Sequence, residues 1–590
     1  MSQKLLLIGI DAMSPLIVER LMKRGLLPNF AKLNFSPLGT TTPPETPVAW
    51  SAAATGCNPG KFGIYDFIDR NPSTYLPKLC LTEEKPGLIK TEYKSAMKGT
   101  PFWRRLNQQG IETSVIRWPV TFPAAELKGR LMAGLGAVDL CGSLNSYRFY
   151  TDDRAELEKK GSEKVIVIDS AQQVTTRIPG PVVRKRGKLV PIDAALKVER
   201  HADRVRLTTA QSNVEIKQGE WSPFFRISFE VLPFHFMHGI CNAFLCSASP
   251  TLRLYLSSVQ IDPSNQAFPL TYPAEYGREI EEHTGLFHTL GMPEETKAVT
   301  EDKLPLSAFL QQIDQIELQR EAHFRFELKR FRNGVLAFIF DAGDRLQHLT
   351  WEELKEDSQD VPEPIERYYI AKDRLMGEVL SAVDSNTKLI VMSDHGFSHF
   401  RRQVNVNRWL LEQGFLSSNG QQEAELFRGV DWARTKAYAV GFTSLFLNLK
   451  GREGSGSVDP SEREELLKDI SGELLKLKDG GIPVLRSVAR GSAIYSGEFA
   501  HEAPDLVLGF SPGYRMSWQS AVGLLAGEVV SDNDSAWKAD HLIDNRYVPG
   551  VLFTNFKIGK SNPQITDIAP TILDFFGLDV PAELDGEVLL

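Results

Sequence analysis

The N-terminal run from Lys4 to Ile10 constrains the fold more than any other feature of this sequence. Every residue after Lys4 is apolar apart from Gly9, and the run ends at Asp11. A strand without polar alternation is typical of a parallel sheet that is covered on both faces. A helix start follows at once, because Ser14 and Pro15 suit the N-cap and N1 positions. The first residues therefore predict a β-α unit of an α/β fold.

Two later runs repeat the pattern of a buried strand that ends at acidic residues. The run from Val335 to Phe340 leads into Asp341 and Asp344, and the run from Leu389 to Met392 leads into Asp394 and His395. Ligands of open α/β sheets bind at the carboxyl ends of the strands, so we expect these side chains to converge on one site. The sequence predicts a mostly parallel sheet sandwiched by helices, with a site at its carboxyl edge.

The 590 residues exceed one compact core, because domains usually have about 50–250 residues. Between residues 146 and 285 the pattern changes to short alternating segments, which predict half-buried antiparallel strands: Arg204 to Thr208, Phe225 to Val231 and Leu252 to Leu256. We predict residues 1–145 and 286–590 as the two parts of a catalytic α/β core, and residues 146–285 as a β-rich insertion.

Composition narrows the class of partner and compartment. The chain has 67 basic and 75 acidic residues and a net charge of -8, which disfavours binding to nucleic acid polymers or acidic membranes and favours a small-molecule substrate. Its five cysteines show no C-x-x-C spacing, so neither a disulfide framework nor a zinc ribbon is indicated. The first apolar run is too short for a signal peptide or a spanning helix. We expect a soluble cytoplasmic protein.

The segment from Thr42 to Phe67 is the most informative for chemistry. Pro47 suits the N1 position of a helix through Trp50, which makes Thr46 its predicted N-cap. A hydroxyl group at a helix N-terminus lies among free backbone N–H groups, where a phosphoryl group can bind. Thr46 is therefore a candidate nucleophile, although an ordinary helix cap would look the same.

Two further motifs supply candidate metal ligands. Asp344 and His348 are four residues apart, so a helix would place them on one face. Asp394 and His395 stand side by side after a strand and before Gly396. Asp and neutral His together suit zinc and can also bind manganese.

Together with Asp11 and Thr46, in this order, these motifs resemble those of the alkaline phosphatase superfamily, most closely its type I phosphodiesterase and nucleotide pyrophosphatase branch. The resemblance covers the first 125 or so residues, about 333–410, the region of His541, and the segment from Thr566 to Gly577. It implies an alkaline-phosphatase-like fold and a metal-dependent phosphohydrolase that cleaves phosphodiester or phosphomonoester bonds of a small molecule.

The resemblance also implies roles for single residues. One divalent ion, zinc or manganese, would be bound by Asp11, Thr46, Asp394 and His395, and a second by Asp344, His348 and His541. Thr46 would form a phospho-threonine intermediate between the two ions, which stabilise the attacking and leaving oxygens.

Departures from the family pattern stand beside the matches. Related pyrophosphatases have an asparagine three residues after the nucleophile, which holds a phosphoryl oxygen, whereas this chain has Ala49. The family's K-H-G sequence is Lys61-Phe62-Gly63 here. The C-x-P-x-R signature of sulfatases is absent around Cys57, which makes hydrolysis of sulfate esters less favoured.

Alternatives remain open at two ligand positions. His399 and His501 compete with His541 for the third ligand of the second ion, and Asp341 competes with Asp344. At the level of function, a phosphomutase of the same superfamily is the nearest rival. A non-catalytic binding protein with structural metals is a more distant one, because folding alone does not require six Asp and His ligands and a helix-cap hydroxyl.

Overall fold

The computed structural model describes residues 3–87, 91–185, 187–352, 354 and 358–590. At its centre lies an eight-stranded mixed sheet, and only the strands of this sheet are numbered here, in chain order. They are β1 (Lys4–Ile10), β2 (Asn34–Leu38), β3 (Thr113–Trp118), β4 (Gly129–Ala133), β5 (Thr271–Tyr272), β6 (Gly334–Phe340), β7 (Thr387–Met392) and β8 (Gly550–Thr554).

The strand order in this sheet is β2-β8-β7-β1-β6-β3-β4-β5. The five strands β7, β1, β6, β3 and β4 are parallel to their neighbours within that group. The edge strands β2 and β5, and β8 next to β2, pair antiparallel with their neighbours. The predicted α/β fold with a mostly parallel sheet is thus confirmed, and antiparallel strands close both of its edges.

The register of the three central strands brings their carboxyl ends level. Ile10 of β1 lies opposite Phe340 of β6, and Gly9 lies opposite Met392 of β7. The acidic residues that follow each strand therefore emerge at the same edge of the sheet, as the strand pattern predicts.

Helices cover both faces of the sheet, and others pack on the smaller sheets described below. In chain order they are α1 (Pro15–Lys23), α2 (Thr46–Thr55), α3 (Phe102–Gln108), α4 (Glu275–Thr284), α5 (Thr296–Thr300), α6 (Leu306–Arg330), α7 (Ala342–Thr350), α8 (Glu363–Ala382), α9 (Val406–Glu412), α10 (Arg463–Leu474), α11 (Gly491–Ile494), α12 (Trp518–Ala521) and α13 (Ile568–Phe575).

The two faces of β1 belong to two different hydrophobic cores. Leu5 and Leu7 pack with α2, α3 and α13, whereas Leu6 and Ile8 pack with α1, α6 and α8. This is the period-two alternation of a strand between two helical layers. Gly9 lets α2 approach closely, because a Cβ atom there would lie 2.4 Å from the Trp50 ring.

The β-rich segment forms three small sheets between β4 and β5. They contain Arg148–Thr151, Val165–Val167, Ala243–Ser247 and Arg253–Leu256; Gln173–Lys185, Lys188–Arg200, Arg204–Thr208 and Asn213–Lys217; and Phe225–Leu232, His235–Cys241 and Gln260–Ile261. The predicted antiparallel strands are present. Toward the end of the range predicted for the insertion, β5 pairs with β4 in the central sheet and α4 packs on α6. Our division of the chain into domains stays a prediction.

A second β-rich region lies between β7 and β8, where the sequence analysis expected only the α/β core. One of its sheets joins Ser398–Val404 to three other strands, and the second contains four strands. Their members are Ser398–Val404, Gly513–Met516, Val530–Asp532 and Ala539–Asp540, and Ala437–Ala439, Ser444–Leu447, Leu485–Arg490 and Leu506–Phe510.

The remaining elements are short. Strand pairs are formed by Ile68–Arg70 with Pro77–Leu79, Thr82–Pro86 with Thr91–Ser95, and Lys478–Asp479 with Ile482–Pro483. Turns of 3₁₀ helix comprise Phe30–Lys32, Pro59–Lys61, Arg154–Glu158, Ser162–Lys164, Pro460–Glu462, Ala500–Glu502, Asn545–Tyr547 and Ile565–Asp567.

Candidate metal centre

The start of α2 places the Thr46 hydroxyl at the carboxyl edge of the sheet. The helix begins at Thr46, one residue earlier than the sequence predicts, and Glu45 is the N-cap residue. Glu45 has an extended backbone (φ -116°, ψ 134°), and its carbonyl oxygen accepts the first helical hydrogen bond from Ala49. The prediction of Thr46 as N-cap is therefore wrong by one position. Thr46 Oγ1 lies 3.2 Å from His395 Nε2.

The first group of candidate ligands comprises Asp11, Asp394 and His395, whose ligand atoms lie within 4.8 Å of one another. Asp394 Oδ2 is 3.2 Å from His395 Nε2. Hydrogen bonds orient both carboxylates of this group. The Ala12 N–H donates to Asp394 Oδ1, and the Trp50 indole N–H donates to Asp11 Oδ2 over 3.1 Å. Such supporting bonds orient the carboxylates of metal sites.

The second group comprises Asp344, His348 and His541. The Nε2 atom of His348 lies 3.3 Å from Asp344 Oδ2, and that of His541 lies 3.6 Å from Asp344 Oδ1. In both histidines Nδ1 contacts a backbone carbonyl oxygen, that of Ala539 at 2.7 Å and that of Pro44 at 2.6 Å. A proton on Nδ1 satisfies these carbonyls and leaves Nε2 as an acceptor that faces the carboxylate.

The two groups adjoin each other. The rings of His395 and His541, one from each group, stack with their centroids 3.7 Å apart. A cavity of about 410 Å³ opens beside Thr46 and the second group. Its other walls are largely apolar and include Phe67, Leu135, Met292, Phe442, Trp518 and Trp537.

Burial shifts pKa values in both groups, and repulsion between carboxylates adds to its effect in the first group. In the second group, burial opposes but does not overcome His348 and Arg345, which lower the pKa of Asp344. Burial raises the pKa of Asp394 to about 7, and burial together with the neighbouring Asp394 and Asp344 raises the pKa of Asp11 well above its usual value. Burial lowers the pKa of His395 to about 4 and that of His541 to about 3. The imidazoles of His395 and His541 are therefore neutral at pH 7, which is the form that binds a metal ion.

Three buried carboxylate oxygens that accept no hydrogen bond are suited to binding cations. Asp11 Oδ1, Asp344 Oδ1 and Asp394 Oδ2 are buried and accept no hydrogen bond from any described residue. A buried carboxylate oxygen without a partner is strongly unfavourable unless a cation compensates it. Each group presents carboxylate oxygens and imidazole nitrogens at close range, and this donor set suits zinc or manganese.

Comparison with known families agrees with this chemistry. The sequence model of the family described as type I phosphodiesterase / nucleotide pyrophosphatase matches residues 5–228 and 255–521. The chain belongs to this family. As a member of it, the protein is a phosphoric ester hydrolase.

Solved structures that match this phosphodiesterase family member share little sequence with it. Phosphonoacetate hydrolase from Sinorhizobium meliloti, in complex with phosphonoacetate, is 11% identical over 97% of this chain and 95% of its own, with a TM-score of 0.45. Murine ectonucleotide pyrophosphatase / phosphodiesterase 5 is 11% identical over 98% of this chain and 96% of its own, with a TM-score of 0.40. No curated protein matches the sequence.

Of the alternative ligands that the sequence left open, none lies in either group of this phosphodiesterase. His501 is on an exposed turn with its side chain 74% exposed, and His541 occupies the position next to Asp344 instead. Asp341 faces away into an ion-pair network, where Arg320 Nη2 lies 2.7 Å from its Oδ1. His399 lies on the strand Ser398–Val404 and is in neither group.

Sequence reasoning missed several polar residues of the cleft. Arg345 and Arg515 line the cavity, and Asp540 accepts hydrogen bonds from the backbone N–H groups of His541 and Leu542. Arg515 Nε lies 2.8 Å from Asp540 Oδ2, so the two charges brace the loop that carries His541. Arg345 lies inside the D-x-x-x-H motif, and this position was the one sequence feature that could have identified it as a residue of the cleft.

Among the described residues, no helix is both long enough and apolar enough to span a lipid bilayer. The five cysteines are all free thiols. The cytoplasmic location expected from the sequence stays a prediction.

Proposed function

We propose that this phosphodiesterase family member uses two divalent ions and Thr46 to cleave a phosphodiester or phosphomonoester bond of a small molecule. One ion would be bound by Asp11, Thr46, Asp394 and His395, and the other by Asp344, His348 and His541. The observation that carries the proposal is the hydroxyl of Thr46, 3.2 Å from a ligand of the first group and lining the cavity beside the second.

The bound ions would polarise the Thr46 hydroxyl and stabilise the leaving oxygen of an in-line displacement. In the first half of the reaction, Thr46 Oγ1 loses its proton and forms a bond to phosphorus while the bond to the leaving oxygen breaks. In the second half, water attacks phosphorus, the bond to Oγ1 breaks, and Thr46 regains a proton.

Residues of this chain supply orientation and shelter for these steps. The start of α2 fixes Thr46, and its first backbone N–H groups lie where a phosphoryl group can be held. The side chains of Asp394 and His395 are fully buried, and those of Asp344 and His348 are at most 5% exposed, so the candidate ligands are sheltered from bulk water. The apolar walls of the cavity suit the non-reacting part of a small substrate.

Segments on either side of the β-rich region contribute to these walls, and we infer a role in substrate selection for that region. Asn145 precedes it, and Met292, Thr296 and Lys297 follow it; all four line the cavity. The histidines inside the region are absent from both candidate ligand groups.

Replacement of Thr46 tests the proposed function. Thr46→Ala removes the attacking atom, so turnover of bis(p-nitrophenyl) phosphate should fall by orders of magnitude while metal content is retained apart from the contribution of Oγ1. Thr46→Ser should keep part of the rate, because its hydroxyl can occupy the same position with a less restricted rotamer. Release of inorganic phosphate from a phosphomonoester that also carries a free alcohol group, without formation of an isomeric phosphate ester, would separate hydrolysis from mutase chemistry. Near-normal turnover by folded Thr46→Ala would refute the covalent route.

A further inference from the structure

Two β-hairpins of the β-rich region between β4 and β5 expose apolar side chains near their turns. The first hairpin consists of Gln173–Lys185 and Lys188–Arg200, and the second hairpin consists of Phe225–Leu232 and His235–Cys241. Leu189 of the first hairpin is 66% exposed, and Phe234 and Phe236 of the second are 91% and 50% exposed. A single exposed apolar residue is ordinary on a protein surface, whereas a group of them indicates contact with a partner or a membrane.

Two contacts show that both hairpins point in the same direction. Near the start of the second hairpin, the Arg226 backbone N–H donates to Ser212 Oγ over 3.2 Å. Ser212 follows Arg204–Thr208, a strand that pairs with the end of the first hairpin far from its turn. Closer to both turns, the Phe229 ring packs against Gly180 of the first hairpin, where a Cβ atom would lie 2.1 Å from the ring. Both hairpins therefore run toward their turns in the same direction.

The two turns also lie at similar heights. Gly180 is five residues before the end of its strand at Lys185, and Phe229 is three residues before Leu232. At about 3.3 Å per residue, the turns differ by roughly 7 Å along the strands, and packed sheets lie about 10 Å apart. The exposed apolar side chains of the two hairpins are therefore at the same end of the β-rich region.

Basic residues accompany these apolar side chains. Arg184 lies opposite Leu189 in the register of the first hairpin, and Lys185 lies opposite Lys188 at its turn. Arg184 donates to the carbonyl oxygen of Gly187 over 3.4 Å. In the part of the chain that the structure describes, none of the three basic residues forms an ion pair. We use the name tip surface for Arg184, Lys185, Lys188, Leu189, Phe234 and Phe236.

The acidic residues of the two hairpins do not neutralise the tip surface. Asp193 and Glu199 form ion pairs with basic residues of their own hairpin, at 3.0 and 3.1 Å, away from its turn. Glu230 is nearer, and its Oε1 accepts the backbone N–H of Phe234 over 3.2 Å. The tip surface therefore keeps an excess of positive charge, although the whole chain has a net charge of -8.

An anionic bilayer surface fits this combination better than a second copy of the chain. Apolar side chains that project from a cationic tip can enter the boundary between headgroups and acyl chains, while Lys and Arg contact the headgroups. In a two-fold contact between two copies, by contrast, each tip surface would face the same cations of the other copy.

We propose that the tip surface docks this protein peripherally on bilayers that contain anionic lipids, with its apolar side chains inserted and its basic side chains at the headgroups. None of its residues lines the cavity beside Thr46, so the inference does not depend on the proposed function. The net negative charge of the rest of the chain opposes adsorption through other surfaces and favours one orientation.

Co-sedimentation of the full-length protein with vesicles tests the proposal. The probes are vesicles of phosphatidylcholine alone and vesicles of equimolar phosphatidylcholine and phosphatidylserine. The wild type should bind the mixed vesicles at low ionic strength and dissociate from them as salt is added, because salt screens the attraction between charges. It should bind vesicles of phosphatidylcholine alone much more weakly.

The basic residues should contribute through their charge. Lys185→Gln combined with Lys188→Gln should weaken binding to the mixed vesicles by about 30-fold, since each basic residue near an anionic surface contributes about 5-fold. The matched control is Lys450→Gln combined with Lys476→Gln, which changes the net charge equally at side chains that are 57% and 72% exposed. The control should bind as the wild type does.

The apolar residues should contribute by insertion. Phe234→Ser should weaken binding by about 10- to 100-fold, the effect expected for burial of an aromatic side chain. Phe234→Trp should keep the affinity, and lipids with brominated acyl chains should quench the fluorescence that this variant adds to that of the wild type. Leu318 on α6 is 67% exposed, and Leu318→Ser and Leu318→Trp are the controls for affinity and quenching.

The substituted side chains are at least partly exposed, so all variants should fold, and circular dichroism and thermal unfolding check this. The proposal is wrong if the wild type binds neither kind of vesicle at low ionic strength, if it binds both equally, or if the tip variants match their controls. Binding without quenching in Phe234→Trp would also overturn it, because insertion is part of the proposal. A wild-type dimer that Phe234→Ser converts to a monomer, without binding to vesicles, would assign the tip surface to a second copy instead.

Discussion

Two buried sites of this protein, one with a single carboxylate and one with three, differ in how their negative charge is balanced. In the β-rich region between β4 and β5, the side chain of Glu156 is 1% exposed. It is surrounded by Lys159, Arg253 and Lys303, with N–O distances of 2.6–2.8 Å. At the carboxyl edge of the central sheet, Asp11, Asp344 and Asp394 each keep a buried oxygen without a hydrogen bond from the described residues.

We interpret the difference as one between a structural carboxylate and a candidate cation site. The three cations around Glu156 lower its pKa to about 2 in spite of burial, which opposes them. Burial raises the pKa of Asp394 instead, to about 7, because the nearby chain offers it too little positive charge. The negative charge of a buried carboxylate must be balanced by a nearby positive charge. Where the protein provides no such charge, a bound cation can provide it.

The largest effect should follow from removing a carboxylate of the cleft. Asp394→Asn should lower metal content and reduce turnover by more than about 100-fold, since changes behind the ligands alone cost about 10- to 100-fold. Because the substitution removes a repulsive buried charge, the metal-free protein should not lose stability. Elemental analysis, turnover and unfolding of the chelated protein measure the three quantities.

Asp314→Asn, at a surface position on α6 with its side chain 53% exposed, is the matched control. Full metal content and normal turnover in Asp394→Asn would contradict the contrast between Glu156 and the carboxylates of the cleft. The unpaired oxygen of Asp394 would then have no role in binding a cation.

Removing the carboxylate of the paired cluster should affect stability and not catalysis. Glu156→Gln leaves three buried or half-buried cations around a neutral amide, which should cost about 3–5 kcal/mol of unfolding free energy near pH 7. Metal content and turnover per folded molecule should stay at the wild-type level. Urea unfolding of the metal-free proteins measures the loss, and turnover is measured on the folded fraction.

The pKa of Glu156 determines how its contribution to the free energy of unfolding changes with pH. The pKa of Glu156 is about 2 in the folded protein, against an ordinary value of 4.5. A lowered pKa contributes stability that is present above pH 4.5 and is lost as the pH falls toward 2. The difference between wild type and Glu156→Gln should therefore shrink over that range. A difference that stays constant from pH 6 to pH 2.5 would contradict the pairing.

A smaller effect should follow from a change behind the cleft. Trp50→Phe removes the indole N–H that donates to Asp11 Oδ2 and keeps most of the aromatic packing. Metal affinity should fall by about 10- to 100-fold, with the rate largely restored at saturating metal. Trp103→Phe, in the same hydrophobic core, is the control. Equal affinities in the two variants would show that the bond to Asp11 does not organise the site.

Much of the central sheet could be predicted, because its strands carry a strong local pattern. The runs that became β1, β6 and β7 are mostly apolar, and acids of the site follow within four residues of the end of each strand. The β-rich region between β7 and β8 was missed because its strands are short or polar, as Ser398–Val404 shows with the sequence SHFRRQV. Pairing across more than a hundred residues stabilises such strands, and local propensity does not report it.

The candidate ligands could be proposed from residue types, spacing and resemblance, whereas their surroundings could not. Asp344 and His348 are visible as a helical pair, but the choice of His541 over His501 depends on where the chain brings each residue. The sequence prediction missed the start of α2 at Thr46. The same local sequence fits a helix with Thr46 as its N-cap and a helix with the extended Glu45 as its N-cap. The contacts of Trp50 and Arg345 with the carboxylates depend on the tertiary fold.

The central claim is that Thr46 carries the phosphoryl group between two bound ions, and the most direct measurement is acid quenching during turnover. Metal-loaded wild-type protein would be mixed with excess p-nitrophenyl phosphate, quenched within one turnover, digested and analysed by mass spectrometry. The account predicts a phosphate on the peptide that contains Thr46, none in Thr46→Ala, and none when a chelator precedes the substrate. A burst of p-nitrophenol equal to the enzyme concentration, with an unmodified Thr46 peptide, would contradict it.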